Sequence, residues 1–159
     1  MFFNRKTKEY ANNEIIAPVT GKIIPNEQLN DCMFKEEMMG QTLAIRPNPD
    51  YLTVCAPANG KLEVLFPTGH AFAIRMDNGM GLLIHIGVDT VKLKGKGFKV
   101  LAKKDEMVKA GQGIVKVDFD FLKEKGLDYE VMMVITDFNQ RVEYNCSDYV
   151  KSKDLIAKI

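Results

Sequence analysis

The sequence lacks the features that mark several common functional classes. It has 22 basic and 21 acidic residues, a formal net charge of +1, so it has no basic surplus of the kind that binds nucleic acid. No apolar run approaches the roughly 18 residues of a membrane-spanning helix. The N-terminus "MFFNRKTKEY" has no apolar stretch typical of a secretory signal. We therefore expect a cytoplasmic protein with no nucleic-acid partner and no membrane span.

The sequence also has few cysteines, and it lacks two common catalytic motifs. The three cysteines, Cys32, Cys55 and Cys146, are widely separated and form no CxxC pair, so neither a disulfide framework nor a structural zinc site is indicated. Neither an HExxH motif nor a GxSxG motif occurs, and so zinc-protease and serine-hydrolase chemistry are not indicated. We expect no cofactor and no metal site formed by this chain alone.

The sequence predicts a series of short strands in a chain that is the length of one domain. Turn residues recur about every ten positions, which is typical of an all-β sandwich or barrel-like domain. Helical periodicity is confined to residues 32–39 and 120–126. The segment 1–13 is predicted to be a flexible tail and 14–159 a single folded domain. The predicted strand segments are 13–25, 41–47, 52–67, 70–76, 81–88, 97–103, 113–119, 129–136 and 141–145.

Both histidines of the chain lie in one stretch, "HAFAIRMDNGMGLLIHIGVDT", on either side of an Asn-Gly pair. Asn-Gly favours a two-residue hairpin loop. Such a loop would place His85 opposite Phe72 and His70 opposite Gly87, so that both imidazoles point to one face of the sheet. A three-residue loop would place them on opposite faces. The spacing therefore predicts one histidine site if the loop has two residues.

Two converging imidazoles could ligate a metal, act as acid and base, carry a group covalently, or be structural. A phosphoryl carrier fits the residues well, because one ring can attack phosphorus while the second ring and a nearby hydroxyl, Thr68, donate hydrogen bonds. A phosphohistidine also needs shielding from water, which predicts an apolar rim that contacts partners. The candidates for that rim are Met33, Phe34, Met39, Phe66, Phe72 and Leu83.

The sequence resembles the glucose-type enzyme IIA family of the bacterial phosphoenolpyruvate-dependent sugar phosphotransferase system. The resemblance covers roughly residues 14 to 137. It implies a β-sandwich of mostly antiparallel strands and a phosphotransferase component that passes a phosphoryl group onward during sugar uptake. Because the chain starts with Met1 and ends soon after the family core, we expect a free-standing protein. The matching pieces are "IIAPVTGKII", "FKEEMMGQTLAIRP", "APANGKLEVLFPTGHAFAI", "LLIHIGVDTVKLKGKGF" and "VKAGQ".

The resemblance also implies a role for each matching residue. His85 in "LLIHIGVDT" corresponds to the histidine that accepts the phosphoryl group from the phosphocarrier HPr, usually on Nε2. His70 in "PTGHAF" corresponds to the second histidine, which holds the phosphoryl group and supports transfer to the IIB domain of a permease. Thr68 corresponds to the hydroxyl that orients His70. Asp89 corresponds to a rim carboxylate that positions an arginine of HPr.

Two alternatives to the carrier hypothesis remain at this point. The first is a regulatory binding module, whose phosphorylation state controls partner proteins through added negative charge. The second is a zinc site formed by His70, His85 and a carboxylate of a partner. Pull-downs that compare the wild type with His85→Asp would distinguish the first, and zinc titration with and without a partner would distinguish the second.

The sequence also departs from the family pattern. The departures concern the fine specificity for partners rather than the histidine chemistry, and we expect "GKGFK", residues 95–99, to be a solvated loop. They are Gly40-Gln41-Thr42 in place of "GDG", Gly81 in place of a common glutamate, Met132 in place of a usual proline, and the basic segment 92–99.

Overall fold

Thirteen short strands and two short helices follow one another along residues 8–159, the part of the chain that the computed structural model describes. The helices are α1 (Cys32–Lys35) and α2 (Phe119–Glu124), and 3₁₀ turns span Asn26–Gln28 and Thr90–Leu93. The strands are β1 (Glu14–Ile16), β2 (Gly21–Ile24), β3 (Thr42–Pro47), β4 (Tyr51–Cys55), β5 (Gly60–Leu65), β6 (Ala71–Arg75), β7 (Gly81–Ile86), β8 (Phe98–Val100), β9 (Met107–Val108), β10 (Gly113–Asp118), β11 (Val131–Thr136), β12 (Tyr149–Val150) and β13 (Leu155–Lys158).

The strands form three sheets in which every pair is antiparallel. The largest sheet has the order β12-β2-β3-β11-β7-β6-β5-β9. A second sheet has the order β4-β10-β8, and β1 pairs with β13. The prediction of an all-β, antiparallel fold with a few short helical turns is therefore confirmed.

Strict side-chain alternation gives the large sheet two apolar faces. In β7, Leu82, Ile84 and Ile86 point into the main core, where they pack with side chains from the three-stranded sheet. The alternate residue Leu83 points to the other face, and so does His85, because successive side chains of a strand point to opposite sides. A smaller apolar cluster on that second face consists of Ile24, Leu29, Phe34, Ala44, Met132 and Val134.

Helix α1 covers this second face and is shorter than predicted. The Asp31 carboxylate caps it by accepting hydrogen bonds from the backbone amides of Met33 and Phe34, at 2.9 and 3.3 Å. The helix ends at Lys35, well before the predicted end at residue 39, because the chain turns there and Glu37 adopts a φ of 53°. The cap fixes the point at which Phe34 enters the smaller cluster.

The predicted strand at 141–145 is wrong. The backbone of Val142 pairs with a side chain instead of a strand. Its amide donates to Gln41 Oε1 and its carbonyl accepts from Gln41 Nε2, both at 2.7 Å. Gln41, one of the departures from the family pattern, thus provides the two hydrogen bonds that a neighbouring strand would otherwise make to Val142.

The predicted tail, 1–13, falls partly outside the described residues, since residues 1–7 are not described. Tyr10 packs against the folded body. Its hydroxyl donates to the Lys153 carbonyl at 2.6 Å, and its own carbonyl accepts from Asn59 Nδ2 at 2.8 Å. The boundary between tail and domain stays a prediction. Within residues 8–159, no helix has the length and apolar character needed to cross a membrane.

Candidate functional site

His85 lies near the end of β7 on the face covered by α1. Its Nδ1 lies 2.7 Å from the carbonyl oxygen of Gly87. Because a carbonyl can only accept a hydrogen bond, Nδ1 carries a proton and donates it to that oxygen. In the neutral ring the lone pair is then on Nε2. The backbone of this strand end therefore fixes both the orientation and the tautomer of the imidazole.

The bend after His85 depends on Gly87. Its φ is 71°, and a Cβ at this position would lie 2.5 Å from Thr90 Cγ2 and 2.8 Å from the Asp128 carbonyl oxygen. Glycine is therefore favoured here for two reasons: it adopts a positive φ without strain, and there is no room for a Cβ. The buried hydroxyl of Thr90 donates to the Ile86 carbonyl at 2.6 Å and closes the loop. The motif "HIGVDT" thus builds the bend that presents the Gly87 carbonyl to the histidine.

His70 is the last residue of the turn 66–70, which joins β5 to β6, and it is buried. Its Nδ1 lies 2.6 Å from Thr68 Oγ1, a hydrogen bond that holds the plane of the ring. The Phe66 ring covers it, with centroids 4.9 Å apart. The imidazole is therefore held on two sides by residues of its own turn.

The two histidines meet, although the predicted hairpin loop is wrong. The loop has three residues, 77–79, because Met76 pairs with Met80 and β6 faces β7 with Ala71 opposite His85. A three-residue loop reverses the expected parity. The rings still lie edge to face with centroids 5.5 Å apart, because His70 precedes β6 at a bend and is not bound by the strand's alternation.

Burial lowers the pKa of both imidazoles. For His85 burial is the largest effect. The hydrogen bond to Gly87 and the charges of Asp31 and Asp89 act against it. For His70 the pKa is lowered first by burial and then by the neighbouring His85. Since an unperturbed histidine titrates near pH 6.5, both rings are neutral at pH 7.

Two carboxylates lie on the rim near His85. Asp89 directly follows the bend, adopts a φ of 60° and has an exposed side chain that lies 3.7 Å from Lys92 Nζ. Asp31 was not among the predicted site residues, yet its charge raises the pKa of His85 more than that of Asp89 does. In the structure Asp31 is the N-cap of α1, and no sequence motif marks it as a residue near the histidine.

The predicted apolar rim is only partly at the surface. Met33, Met39 and Phe66 are exposed, and the adjoining Met38, which was not predicted, is 70% exposed. Phe72 is a correction, because it is fully buried in the main core on the opposite face of the sheet and cannot meet a partner.

The two other predicted rim residues lie under the site rather than around it. Phe34 is buried, and its ring centroid lies 5.1 Å from that of His85. Leu83 is partly buried on the His85 side of the sheet, against the same small cluster. These side chains support the imidazole from below.

Two departures from the family pattern lie on or beside strand β7, one next to His85 and one at the start of the strand. Met132 is the direct neighbour of His85 on β11 and is buried, so this departure forms part of the floor of the site. At Gly81, a Cβ would lie 2.2 Å from Thr136 Oγ1. A glutamate there would therefore require Thr136 to move.

No group of three or more histidine, cysteine, aspartate or glutamate side chains among residues 8–159 is arranged to hold a metal ion. The site instead has one free ring nitrogen, Nε2 of His85, with the imidazole of His70 beside it and exposed apolar side chains on the rim. Chemically, it can form and break a bond at Nε2 of His85 while the second ring contacts the transferred group.

Comparisons with known proteins agree with this reading. Residues 13–141 match the family model described as phosphoenolpyruvate-dependent sugar phosphotransferase system, EIIA 1. The glucose-specific EIIA component of Buchnera aphidicola subsp. Acyrthosiphon pisum is 40% identical over 136 residues, which cover 86% of this chain and 80% of that protein. The glucose-specific EIICBA component of Staphylococcus carnosus is 39% identical over 127 residues, 80% of this chain but only 18% of that longer protein. Among solved structures, glucose permease IIA from Mycoplasma capricolum superimposes with a TM-score of 0.84 at 35% identity, covering 99% of this chain and 98% of that one.

Proposed function

The chain belongs to the EIIA 1 family of the phosphoenolpyruvate-dependent sugar phosphotransferase system and is thus a phosphotransferase component, and we propose that Nε2 of His85 is the atom that carries the phosphoryl group. The observation that carries the proposal is the hydrogen bond from Nδ1 to the Gly87 carbonyl, which leaves the lone pair on Nε2. No proton has to leave the attacking nitrogen before the reaction begins.

The transfer is a displacement at phosphorus. The lone pair of His85 Nε2 forms the new N–P bond, while the bond between phosphorus and the donor's histidine nitrogen breaks and its electrons return to that nitrogen. The proton stays on Nδ1 of His85, and its hydrogen bond to the Gly87 carbonyl stabilises the positive charge that develops on the ring. Onward transfer reverses these events, with a nucleophilic cysteine or histidine of a IIB domain as the acceptor.

His70 is not the nucleophile; its role is to bind the phosphoryl group. When the Thr68 hydroxyl donates to Nδ1 of His70, the proton of that ring lies on Nε2. From there it can donate to a phosphoryl oxygen on the neighbouring His85, whose ring centroid is 5.5 Å away. Such a donor is worth most in a site shielded from water. Thr68 is then a positioning residue that acts through His70.

The rim suits protein partners. The exposed Met33, Met38 and Phe66 offer apolar contact, and methionine adapts to more than one partner surface. Asp31 and Asp89 place negative charge next to His85, which suits an arginine of the phosphocarrier HPr as it docks. We assign HPr as the donor, the IIB domain of a sugar permease as the acceptor, and the cytoplasm as the compartment.

A phosphotransfer assay with matched variants tests this function. The protein is incubated with phosphoenolpyruvate, enzyme I and HPr, and the phosphoryl group is followed on the wild type, His85→Ala and His70→Ala. We expect His85→Ala to take up none. His70→Ala should take up phosphoryl but deliver little of it to a IIB domain. A wild type that stays unphosphorylated, or a His85→Ala variant that is phosphorylated normally, would contradict the proposal.

A further inference from the structure

Positive charge is concentrated in one stretch of this nearly neutral chain. Residues 91–104 contain six lysines and no acidic residue. The chain's net charge is +1, so the other residues together carry −5. Such asymmetry indicates a surface that selects partners by charge. We call the surface formed by these lysines together with Lys116 and Lys125 the lysine surface.

The sheet places two of these lysines directly against each other. Lys99 of the edge strand β8 and Lys116 of β10 are cross-strand partners on the outer face of the three-stranded sheet. Like charges in this position destabilise a sheet. The Lys116 ammonium also lies 4.5 Å from the centroid of the Tyr51 ring, which holds it in place.

A second pair of ammonium groups shares one aromatic ring. Lys96 and Lys125 lie 5.5 and 5.4 Å from the centroid of Phe121. Helix α2 carries Asp120 and Glu124 close by in sequence. Even so, among residues 8–159 the only lysine of this surface with a carboxylate within 4 Å is Lys92, which pairs with Asp89. The fold therefore holds several cations close together without neutralising them.

Lysine on an edge strand also discourages unwanted strand pairing, which accounts for Lys99. It does not account for Lys96 and Lys125, which lie outside strands, or for Lys116, which lies on the central strand of its sheet. The charge repulsion at these positions is better explained by a partner that relieves it.

The lysine surface adjoins the histidine site. A Cβ at Gly95 would lie 3.7 Å from both Cα and the carbonyl oxygen of Thr68, so this loop packs on the turn that holds His70. The acidic rim residue Asp89 lies at the other end of the loop, where it pairs with Lys92. A partner on the lysine surface would therefore lie beside the turn that holds His70 and close to Asp89.

We propose that the lysine surface docks an acidic polypeptide surface of a partner protein. Complementary charge accelerates encounter and selects the partner. Three of the ammonium groups rest on aromatic rings, so their positions are partly fixed before binding, which lowers the cost of ordering them. Cations held in place match carboxylates spaced along a polypeptide, whereas the mobile headgroups of a bilayer do not require such an arrangement.

The test is an NMR titration of the ¹⁵N-labelled, unphosphorylated protein with a glutamate–serine repeat peptide. A parallel titration uses mixed phosphatidylcholine and phosphatidylglycerol vesicles. No phosphodonor is present, so the outcome does not depend on the proposed function. We expect the peptide to shift amide signals in residues 92–104 and around Lys116, and the binding to weaken as salt is added.

Two triple variants of equal net charge test the location of binding. Lys96→Ser, Lys99→Ser and Lys116→Ser together should bind the peptide about tenfold more weakly, a loss of about 1.4 kcal/mol shared by three weak surface charge contacts. The control triple removes exposed lysines elsewhere and should bind almost as the wild type does. Equal weakening in both triples, no binding of the peptide, or binding to vesicles alone would overturn the proposal. The control substitutions are Lys22→Ser, Lys151→Ser and Lys158→Ser.

Discussion

Replacing Thr68 by valine isolates the contribution of one hydroxyl to the site. Valine has nearly the shape of threonine, so the change removes Oγ1 and leaves the packing of the turn almost intact. The lost contact is the 2.6 Å hydrogen bond to Nδ1 of His70. That ring is 6% exposed, so water has little access to replace the lost partner.

The expected magnitude follows from that geometry. A neutral hydrogen bond contributes about 1 kcal/mol net, and a buried polar atom left without a partner costs about 1–3 kcal/mol. We expect Thr68→Val to lower the free energy of unfolding by about 1–2 kcal/mol. For a chain of this size that is a fall of roughly 2–8 °C in the thermal midpoint. The same energy, felt in the transfer step, slows delivery to the IIB domain by roughly 5- to 30-fold.

The assay is single-turnover transfer from the phosphorylated protein to a IIB domain, with uptake from HPr measured beside it. Uptake should change little, because His85 keeps its hydrogen bond to Gly87. Thr68→Ser retains the hydroxyl and should restore the delivery rate. If delivery by Thr68→Val matched the wild type, or if Thr68→Ser were equally slow, the assigned role of the hydroxyl would be wrong.

Three further predictions rest on separate contacts. Because burial lowers the pKa of both histidines, the unfolded chain binds more protons than the folded one below about pH 6.5. Stability should then fall on acidification from that pH down to the folded pKa values, by at most about 1.4 kcal/mol per pH unit for each histidine. Denaturant titrations at several pH values check this, and replacing His70 and His85 with glutamine should flatten the dependence; an unchanged slope would contradict it. Asp31→Ala should remove the helix cap, at a cost of about 1 kcal/mol in stability, and should lower the pKa of His85 further. Asp31→Asn should lower that pKa and keep most of the stability. NMR titration of the imidazole and thermal melts separate the two effects, and an unmoved pKa in both variants would refute the electrostatic part. Gln41→Ala should expose the Val142 amide to rapid hydrogen exchange by removing two 2.7 Å hydrogen bonds, and continued protection of that amide would show that another group holds the segment.

The sequence predicted the class of the fold well because alternation and turn residues act locally. β7 illustrates this, since Leu82, Ile84 and Ile86 alternate with Leu83 and His85 as expected for a strand between two apolar layers. It failed at 141–145, where the backbone of Val142 pairs with a glutamine side chain about a hundred residues away. No local pattern reports such a distant partner.

The hairpin shows a different limit. Asn-Gly correctly marked the turn, but the choice between two and three loop residues is decided by pairing of Met76 with Met80 across the loop. The convergence of the two histidines depended on the bend at His70, which strand periodicity does not describe. A prediction of convergence was therefore right for a geometric reason other than the one that motivated it.

Burial was the least predictable property of the site residues. Phe72 and Phe66 flank the same histidine in sequence, yet one is fully buried in the core and the other is exposed beside the site. They differ because Phe72 is on the inward side of a strand, whereas Phe66 lies in the turn before it. Asp31 was missed because its influence on His85 depends on the packing of α1 against the sheet, which no local motif reports.

The most direct test of the central assignment is NMR identification of the phosphorylated nitrogen. The ¹⁵N-histidine-labelled protein is phosphorylated by HPr, and its ring nitrogens are assigned through their couplings to ring protons and to phosphorus. The Gly87 carbonyl holds the proton on Nδ1, so the phosphoryl group should be found on Nε2 of His85, with Nδ1 still protonated. A phosphoryl group on Nδ1 of His85, or on any other residue, would contradict the assignment.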